Sequence, residues 1–259
     1  MTYAFGDTDL AARRLALLAE TFAQSSRTFL VEAAHTGLRL AADLGCGPGY
    51  STHLLAGTLE AAHTTGLDNS DSFLDLARPT ASETVSFRLH DITTGPFPCG
   101  PYDLLFSRFE LTHLQRPEAV VELWGRQLEV GGRLLIEEVE YIETPHPVFT
   151  AYMEINQAML TEQGNSLYIG PVLDAILDPP SLKRRASNVQ SVPVPADRAA
   201  AMFHMNLGVW RHNDFVRRNF APSDIDDLDG SLAAIASGQT AVGPVEWGLR
   251  HIVMERIDP

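Results

Sequence analysis

The sequence has few cysteines, few basic residues and no long apolar run, and each shortage excludes a class of protein. Cys46 and Cys99 stand far apart among 259 residues, so neither a disulfide framework nor a cysteine-histidine zinc cluster is expected. Lys and Arg number 19 against 33 Asp and Glu, and the net charge of −14 disfavours contact with nucleic acid. No run reaches the roughly 18 apolar residues that a membrane helix needs. The sequence therefore predicts a cytoplasmic protein with no nucleic-acid or membrane partner.

Apolar runs alternate with helical patterns in the first half of the chain, as in repeated βα units. Strands are predicted at the following segments: 38–44, 63–68, 85–91, 102–108 and 132–140. Helices are predicted between them, the last of which opens at Pro117 and is closed by two glycines: 51–62, 70–79 and 117–132. This spacing favours an α/β fold with a Rossmann-like, doubly wound and mostly parallel sheet.

The pattern changes at both ends of this region. Leu15, Leu18 and Phe22 share one face of a helix before the first strand, and residues 1–30 are predicted to form a helical lid. The α/β core is predicted to comprise residues 31–144 and 180–259, and this part includes strands at 188–195 and 247–257. Two helical stretches, at about 145–179 and 196–240, are predicted to form a cap inserted into the core. The cap offers apolar surface for a homodimer.

The segment AADLGCGPGY, residues 41–50, places three glycines directly after the first predicted strand. Dinucleotide-binding loops have the spacing G-x-G-x-x-G, whereas these glycines follow G-x-G-x-G, and no G-K-[ST] phosphate loop is present. Asp43 precedes the loop, where its carboxylate would repel a pyrophosphate and attract an ammonium group. The loop therefore favours a ligand that carries a cation in place of a phosphate.

Two further acids end predicted strands. Asp68 ends the second strand, where its oxygens can accept both hydroxyls of a ribose. Asp91 ends the third strand, where its carboxylate can accept a hydrogen bond from an exocyclic amine. The neighbouring Ile92 can cover the face of a purine. Together with the glycine loop, these residues fit an adenosine that bears a positively charged amino-acid tail.

These motifs, taken in order, resemble those of class I S-adenosylmethionine-dependent methyltransferases. The resembling segments lie between about residues 38 and 140: DLGCGPGYST, GLDNSD, HDIT, YDLLFSRFELTHL and LEVGGRLLIEE. The opening YAFGDTDLAARRL is similar to that of the bacterial small-molecule, natural-product type. The resemblance implies S-adenosylmethionine as the cofactor and a seven-stranded sheet with one antiparallel strand, which suits the last predicted strand.

The resemblance also implies which residues contact the cofactor. Asp43 would lie near its methionine amino group, Arg14 would hold its carboxylate, and Asn69 stands where many relatives have an apolar residue against the adenine. The full implied set is Arg14, Asp43, Gly45, Gly47, Asp68, Asn69, Asp91, Ile92 and Ser107.

The acceptor end of the reaction leaves more alternatives open. Methyl transfer is an in-line displacement; a neutral amine needs no base, whereas a hydroxyl acceptor would profit from one. His113 follows the fourth strand, and His204 lies in the apolar AMFHMNLG, where desolvation would keep it neutral and competent as a base. Phe109 could face the sulfonium by a cation–π contact, and Tyr3 could close over the methyl group.

A metal is not expected, because Ser107 and Arg108 stand where metal-dependent relatives present acids. The N-P-P-[YF] motif of DNA amino methylation is also absent. The first hypothesis is therefore a methyltransferase that acts on O, N or C of a small, specialised metabolite. The alternatives are a non-catalytic cofactor-binding or regulatory protein of the same fold, a protein or nucleic-acid methyltransferase, and a nicotinamide-dependent oxidoreductase.

Overall fold

The computed structural model describes residues 9–258, and its centre is a seven-stranded sheet. The strands are β1 (Leu40–Leu44), β2 (His63–Asp68), β3 (Val85–Leu89), β4 (Tyr102–Arg108), β5 (Leu128–Glu143), β6 (Leu182–Val194) and β7 (Val245–Arg256). The α-helices are α1 (Asp9–Ala33), α2 (Tyr50–Leu59), α3 (Asp71–Ala77), α4 (Pro117–Gly125), α5 (Pro147–Glu162), α6 (Gly170–Ala175), α7 (Ala196–Trp210), α8 (Asp214–Asn219) and α9 (Pro222–Ala236). Short 3₁₀ helices span Arg78–Thr80 and Leu111–His113. None of the helices within 9–258 is long and apolar enough to cross a membrane.

The strand order is β3-β2-β1-β4-β5-β7-β6. Strands β1 to β5 pair in parallel, and β7 runs antiparallel to both β5 and β6. The predicted fold, a doubly wound sheet with one antiparallel strand, is therefore confirmed. The order reverses between β1 and β4, and ligands of open α/β sheets bind outside the carboxyl ends of the strands at such a point.

Side chains on neighbouring positions of a strand go to opposite faces of the sheet, and this alternation builds two cores. Leu104 and Phe106 of β4 pack in the core that includes Leu30 of α1. Leu105, between them, packs in the core that includes Trp124 of α4. Helices therefore cover both faces of the sheet, as parallel strands require.

Two predicted boundaries are wrong. The helix predicted over 117–132 ends at Gly125, and β5 already begins at Leu128, whose partner in the ladder is Tyr102 of β4. The strand predicted to start at residue 188 begins at Leu182. The additional residues are mostly charged or polar and lie on an edge strand, so they show no apolar alternation, but they pair with β7 all the same.

Helices α5, α7, α8 and α9, called the cap helices below, share a further core with α1 and the start of β7. Tyr152 of α5 stacks on Phe203 of α7 with ring centroids 4.1 Å apart, and Trp247 of β7 lies 5.8 Å from Phe203. Phe22 of α1 meets Trp247 edge to face at 5.3 Å. These rings connect α1, the cap helices and the sheet into one packed layer above the carboxyl edge.

A buried polar network fixes α1 against the sheet. Glu137 of β5 is fully buried; its Oε1 accepts a hydrogen bond from Ser26 Oγ at 2.7 Å, and its Oε2 lies 3.0 Å from His251 Nε2. Arg108 of β4 donates to the same Ser26 hydroxyl at 3.1 Å. Because buried charges are stable only when paired, this network sets the position of α1 as well as its contact with the sheet.

We expect Glu137→Ala to lower the free energy of unfolding by about 3–5 kcal/mol, because it leaves the polar partners of a buried carboxylate without compensation. The measurement is urea unfolding followed by circular dichroism. Glu129→Ala is the matched control on the same strand, since the Glu129 side chain is 47% exposed; its effect should stay within about 0.5 kcal/mol. Equal destabilisation by the two variants would show that the network contributes nothing specific.

Candidate active site

The glycine loop connects β1 to α2 and requires glycine for two reasons. Gly45 and Gly47 have φ angles of +71° and +50°, in the left-handed region that favours glycine. A Cβ on Gly45 would lie 2.4 Å from Oε2 of Glu110, so no other residue fits there without moving that carboxyl group. The loop therefore forms a surface without side chains, and Glu110 rests against it.

Asp43 supports this loop from beneath. Its Oδ2 accepts hydrogen bonds from Ser51 Oγ and Thr52 Oγ1, both at 2.7 Å, and the residue is 1% exposed. Burial raises the pKa of Asp43, while the two hydroxyl hydrogen bonds and the charge of Arg108 lower it. The carboxyl group thus joins the end of β1 to the first turn of α2.

Asp68 joins the glycine loop to the end of β2. Its Oδ2 accepts the backbone N–H of Gly47 at 2.7 Å, and its Oδ1 accepts that of Ser70 at 2.8 Å. The carboxylate remains on the wall of a cavity that lies above the loop. Each carboxylate oxygen can accept more than one hydrogen bond, so Asp68 can support the loop and still accept hydroxyl groups of a ligand.

A cavity of about 700 Å³ extends from this loop to the cap helices. It brings together seven of the residues that the sequence predicts for the site: Arg14, Gly45, Gly47, Asp68, Asn69, Phe109 and His113. Phe109, with φ of +58°, turns away from the end of β4 and meets Phe22 edge to face. Tyr3 lies outside the described residues, and its predicted role stays a prediction.

The structure does not bring four other predicted cofactor residues to the cavity wall. Asp43 is buried beneath the loop, and Ser107 is fully buried within β4. Asp91 is exposed and accepts hydrogen bonds from the backbone and hydroxyl of Thr93, while the carbonyl of Ile92 accepts from the indole of Trp124. Their contacts with a cofactor stay predictions.

The expected apolar environment of His204 is wrong. Its side chain is 42% exposed, and its Nδ1 lies 2.8 Å from Oδ1 of Asp229 on α9. Met202, Phe203 and Asn206 of the same helix line the cavity, and one residue along a helix turns the side chain by about 100°. His204 therefore faces α9, and the neighbouring positions of α7 face the cavity.

Two acids on the cavity wall were not predicted as site residues: Glu110 and Glu138. Burial raises the pKa of Glu110 well above its usual value, and the nearby charges of Asp68, Glu138 and Asp43 raise it further. Burial raises the pKa of Glu138 to about 8, against two backbone hydrogen bonds that lower it. The sequence marked these two acids only by their positions: Glu110 follows the end of β4, and Glu138 lies within the apolar strand β5.

His113 is neutral in this cavity. Burial, and then the charge of Arg14, lower the pKa of His113 to about 3. Arg14 is 6% exposed and also acts on Tyr152, whose hydroxyl accepts a hydrogen bond from Asn206 Nδ2 at 2.9 Å. The α1 guanidinium therefore lies between the glycine loop and the cap helices. Within 9–258, no group of three or more potential ligands is arranged to hold a metal ion.

Comparison with known proteins finds similarity to methyltransferases. A family model described as methyltransferase domain matches residues 41–132. The trans-aconitate 2-methyltransferase of Delftia acidovorans is 40% identical over 98 residues, which are 37% of this chain and 36% of the relative. The match thus spans about a third of the length of that curated relative.

Solved structures extend the likeness to nearly the whole chain, at the level of the fold alone. The phosphoethanolamine N-methyltransferase 2 of Haemonchus contortus, in complex with phosphomonomethylethanolamine and S-adenosylhomocysteine, has a TM-score of 0.52 at 16% identity over 95% of this chain and 53% of that one. A Bacillus halodurans protein described as a candidate methyltransferase has a TM-score of 0.58 at 13% identity, over 90% of this chain and 100% of that one. Residues 41–132 thus match the methyltransferase-domain model, and the chain as a whole shares the fold of these solved methyltransferase structures.

Proposed function

We propose that this protein transfers the methyl group of S-adenosylmethionine to a small molecule held under the cap helices. The observation that carries the proposal is one continuous cavity, which joins the glycine loop and Asp68 to a chamber lined by α5 and α7. Its volume of about 700 Å³ is within the range of sites for small ligands. The relatives named above act on, or hold, small molecules, which supports an acceptor of the same size.

The residues on the wall fit the adenosyl group of the methyl donor. Backbone without side chains at Gly45 and Gly47 permits close approach, and Asp68 offers carboxylate oxygens to the ribose hydroxyls. Asn69 and Phe73 line the same cavity and follow Asp68 closely in the chain, so we assign them to the adenine. The donor supplies a methyl group already activated by a sulfonium, so the protein has to align it and exclude water.

Glu110 is the group that we assign to the ammonium group of the donor. Asp43, the residue predicted from the sequence, is enclosed by two hydroxyl groups, whereas the carboxyl group of Glu110 lies on the cavity side of Gly45. A carboxylate in this desolvated position attracts a nearby cation more strongly than one in water does. Arg14, on the same wall, is assigned to the carboxylate of the donor.

His113 is assigned to packing and hydrogen bonding at the acceptor end, in place of general-base catalysis. An imidazole with a pKa of about 3 holds a proton too weakly to assist its transfer at neutral pH. Phe109 lines the cavity, with the Arg108 guanidinium 5.9 Å from its ring centroid, and its cation–π contact with the sulfonium stays a prediction. A specialised metabolite as acceptor, a cytoplasmic location and a homodimer stay predictions from the sequence.

The alternatives differ in ligand and turnover. A nicotinamide-dependent oxidoreductase would bind reduced nicotinamide dinucleotide and not S-adenosylhomocysteine. Calorimetric titration with each of these ligands distinguishes an oxidoreductase from a methyltransferase. A regulatory protein of the same fold would bind S-adenosylhomocysteine and turn over no acceptor. A protein or nucleic-acid methyltransferase would need a groove open to a polymer, whereas the acceptor chamber here is lined by buried residues such as Tyr152 and Phe203.

We expect Asp68→Ala to weaken binding of S-adenosylhomocysteine by about 1.5–3 kcal/mol, or about 10- to 150-fold, because it removes charged acceptors from the ribose hydroxyls. Isothermal titration calorimetry measures this change. Asp71→Ala is the matched control: Asp71 is exposed, begins α3 and does not line the cavity. Unchanged affinity in Asp68→Ala would remove the ribose from this position.

We expect S-adenosylmethionine to release protons on binding and to bind more tightly as the pH rises toward and through the raised pKa of Glu110. The pKa of Glu110 is raised in the free protein, so its carboxyl group is protonated there over a wider range of pH. A bound cation favours the carboxylate and lowers this pKa, so the proton leaves. Calorimetry at neutral pH in two buffers of different ionisation enthalpy counts the protons.

Glu110→Gln should abolish this proton release on binding of S-adenosylmethionine. Glu118→Gln, an exposed position in the first turn of α4, is the control and should behave as the wild type. If the wild type releases no proton, or if Glu110→Gln releases as many, the donor's charge does not lie beside Glu110.

A further inference from the structure

We propose that the methyl acceptor is an amine and that Glu138 is the catalytic residue that pairs with its ammonium form and removes its proton. This inference rests on the proposed methyl-transfer function and names the substrate class of the same cavity. It is carried by buried oxygen atoms on the cavity wall that have no partner within the described part of the protein, together with the aromatic rings around them.

Glu138 has one oxygen committed to the protein and one available to a ligand. Its Oε1 accepts the backbone N–H groups of Glu110 and Leu111, each at 2.7 Å, so the carboxyl group is fixed at the start of the 3₁₀ helix after β4. Its Oε2 has no hydrogen-bond partner among the described residues, although the side chain is fully buried. A buried polar atom without a partner is costly, and a ligand in the cavity can supply the missing hydrogen bond.

Two more buried oxygens on the same wall lack a partner in the described part of the chain. They are Oδ1 of Asn156 on α5 and Oδ1 of Asn206 on α7, in residues that are 5% and 8% exposed. The orientation of the Asn206 amide follows from its Nδ2, which donates to Tyr152. With Glu138 ionised, residues of this one cavity offer three acceptor atoms; an ammonium has several hydrogens to donate to such atoms, whereas a hydroxyl has one.

Aromatic rings complete the surroundings. Tyr152, Phe203 and Trp247 line the same cavity as these oxygens, and the face of an aromatic ring attracts a cation by about 0.5–2 kcal/mol. A carboxylate acceptor would find no such attraction. The wall at the acceptor end therefore favours a positively charged organic amine.

The charged groups around Glu138 decide which form it takes. Glu110 and Glu137 are its acidic neighbours, while Arg250, its cross-strand partner in β7, is already paired with Glu140. Arg14 is the cation that α1 adds to this wall. With its pKa raised to about 8, Glu138 is mostly protonated at neutral pH in the free protein, and an arriving ammonium ion displaces that proton to solvent.

Atoms and charge balance in the proposed reaction. The ammonium R–NH₃⁺ gives one proton to Oε2 of the Glu138 carboxylate, which leaves a neutral amine with a free lone pair. The nitrogen forms a bond to the methyl carbon as the bond from that carbon to sulfur breaks, and sulfur keeps the electron pair. The products are R–NH₂⁺–CH₃, a neutral thioether and protonated Glu138, so the net charge of the reacting groups is unchanged.

Benzylamine and benzyl alcohol test the inference as a matched pair, since they differ only in the amino or hydroxyl group. Calorimetry first measures binding of S-adenosylhomocysteine, and each probe is then titrated into the saturated protein at neutral pH. We expect benzylamine to bind at least about tenfold more tightly than benzyl alcohol and to release close to one proton. Glu138→Gln should weaken benzylamine binding by at least about tenfold and leave benzyl alcohol within about twofold.

Glu143→Gln is the control, because Glu143 is exposed at the end of β5 and does not line the cavity. If S-adenosylhomocysteine itself does not bind, the proposed function fails. If it binds but benzylamine does not, or if the two probes bind equally, or if the preference survives in Glu138→Gln, the amine and Glu138 are wrong while the methyltransferase stands. The selectivity and proton release of the wild type decide the matter even if Glu138→Gln does not fold.

Discussion

The structure depends on the meeting of several carboxyl groups at one edge of a parallel sheet. Parallel pairing brings the ends of β1, β2, β4 and β5 together, and with them Asp43, Asp68, Glu110 and Glu138. Like charges at short range in a desolvated place cannot all ionise without compensation. Asp43, Asp68 and Glu138 accept hydrogen bonds from hydroxyl or amide groups, and burial raises the pKa values of Asp43, Glu110 and Glu138. The edge is therefore suited to cationic ligands, and this preference connects the proposed donor with the proposed acceptor.

The same edge also needs a cover, and a second buried network supplies it. Glu137 lies one residue before Glu138 and points to the opposite face, where Ser26 and His251 hold its oxygens. That contact places α1, which contributes Arg14 to the cavity and packs against the cap helices. Two consecutive glutamates of β5 thus have different roles: one fixes the cover and the other faces the enclosed chamber.

Local sequence was sufficient to bring the glycine loop and Asp68 together on one cavity wall, although it did not do so for Asp43, Asp91, Ile92 or Ser107. The glycine loop and Asp68 are joined by contacts between residues close in the chain, and the spacing of the glycines alone argues against a pyrophosphate. The same local reasoning failed for His204, because an apolar sequence neighbourhood on a helix does not say which side faces the core. Glu110 could not be found either, since its importance comes from contact with Gly45, far earlier in the chain, across the β1 and β4 pair.

The sequence by itself determined the succession of strands along the chain, the doubly wound fold and the kind of nucleotide that the first loop suits, because periodicity and turn chemistry act over a few residues. Only the tertiary structure decided which acids share the cavity, which carboxyl oxygen of Glu138 has no partner among the described residues, and which residues of α5 and α7 line the cavity. Those features depend on sheet register and on the rotation of helices about their axes, and both are set by long-range packing.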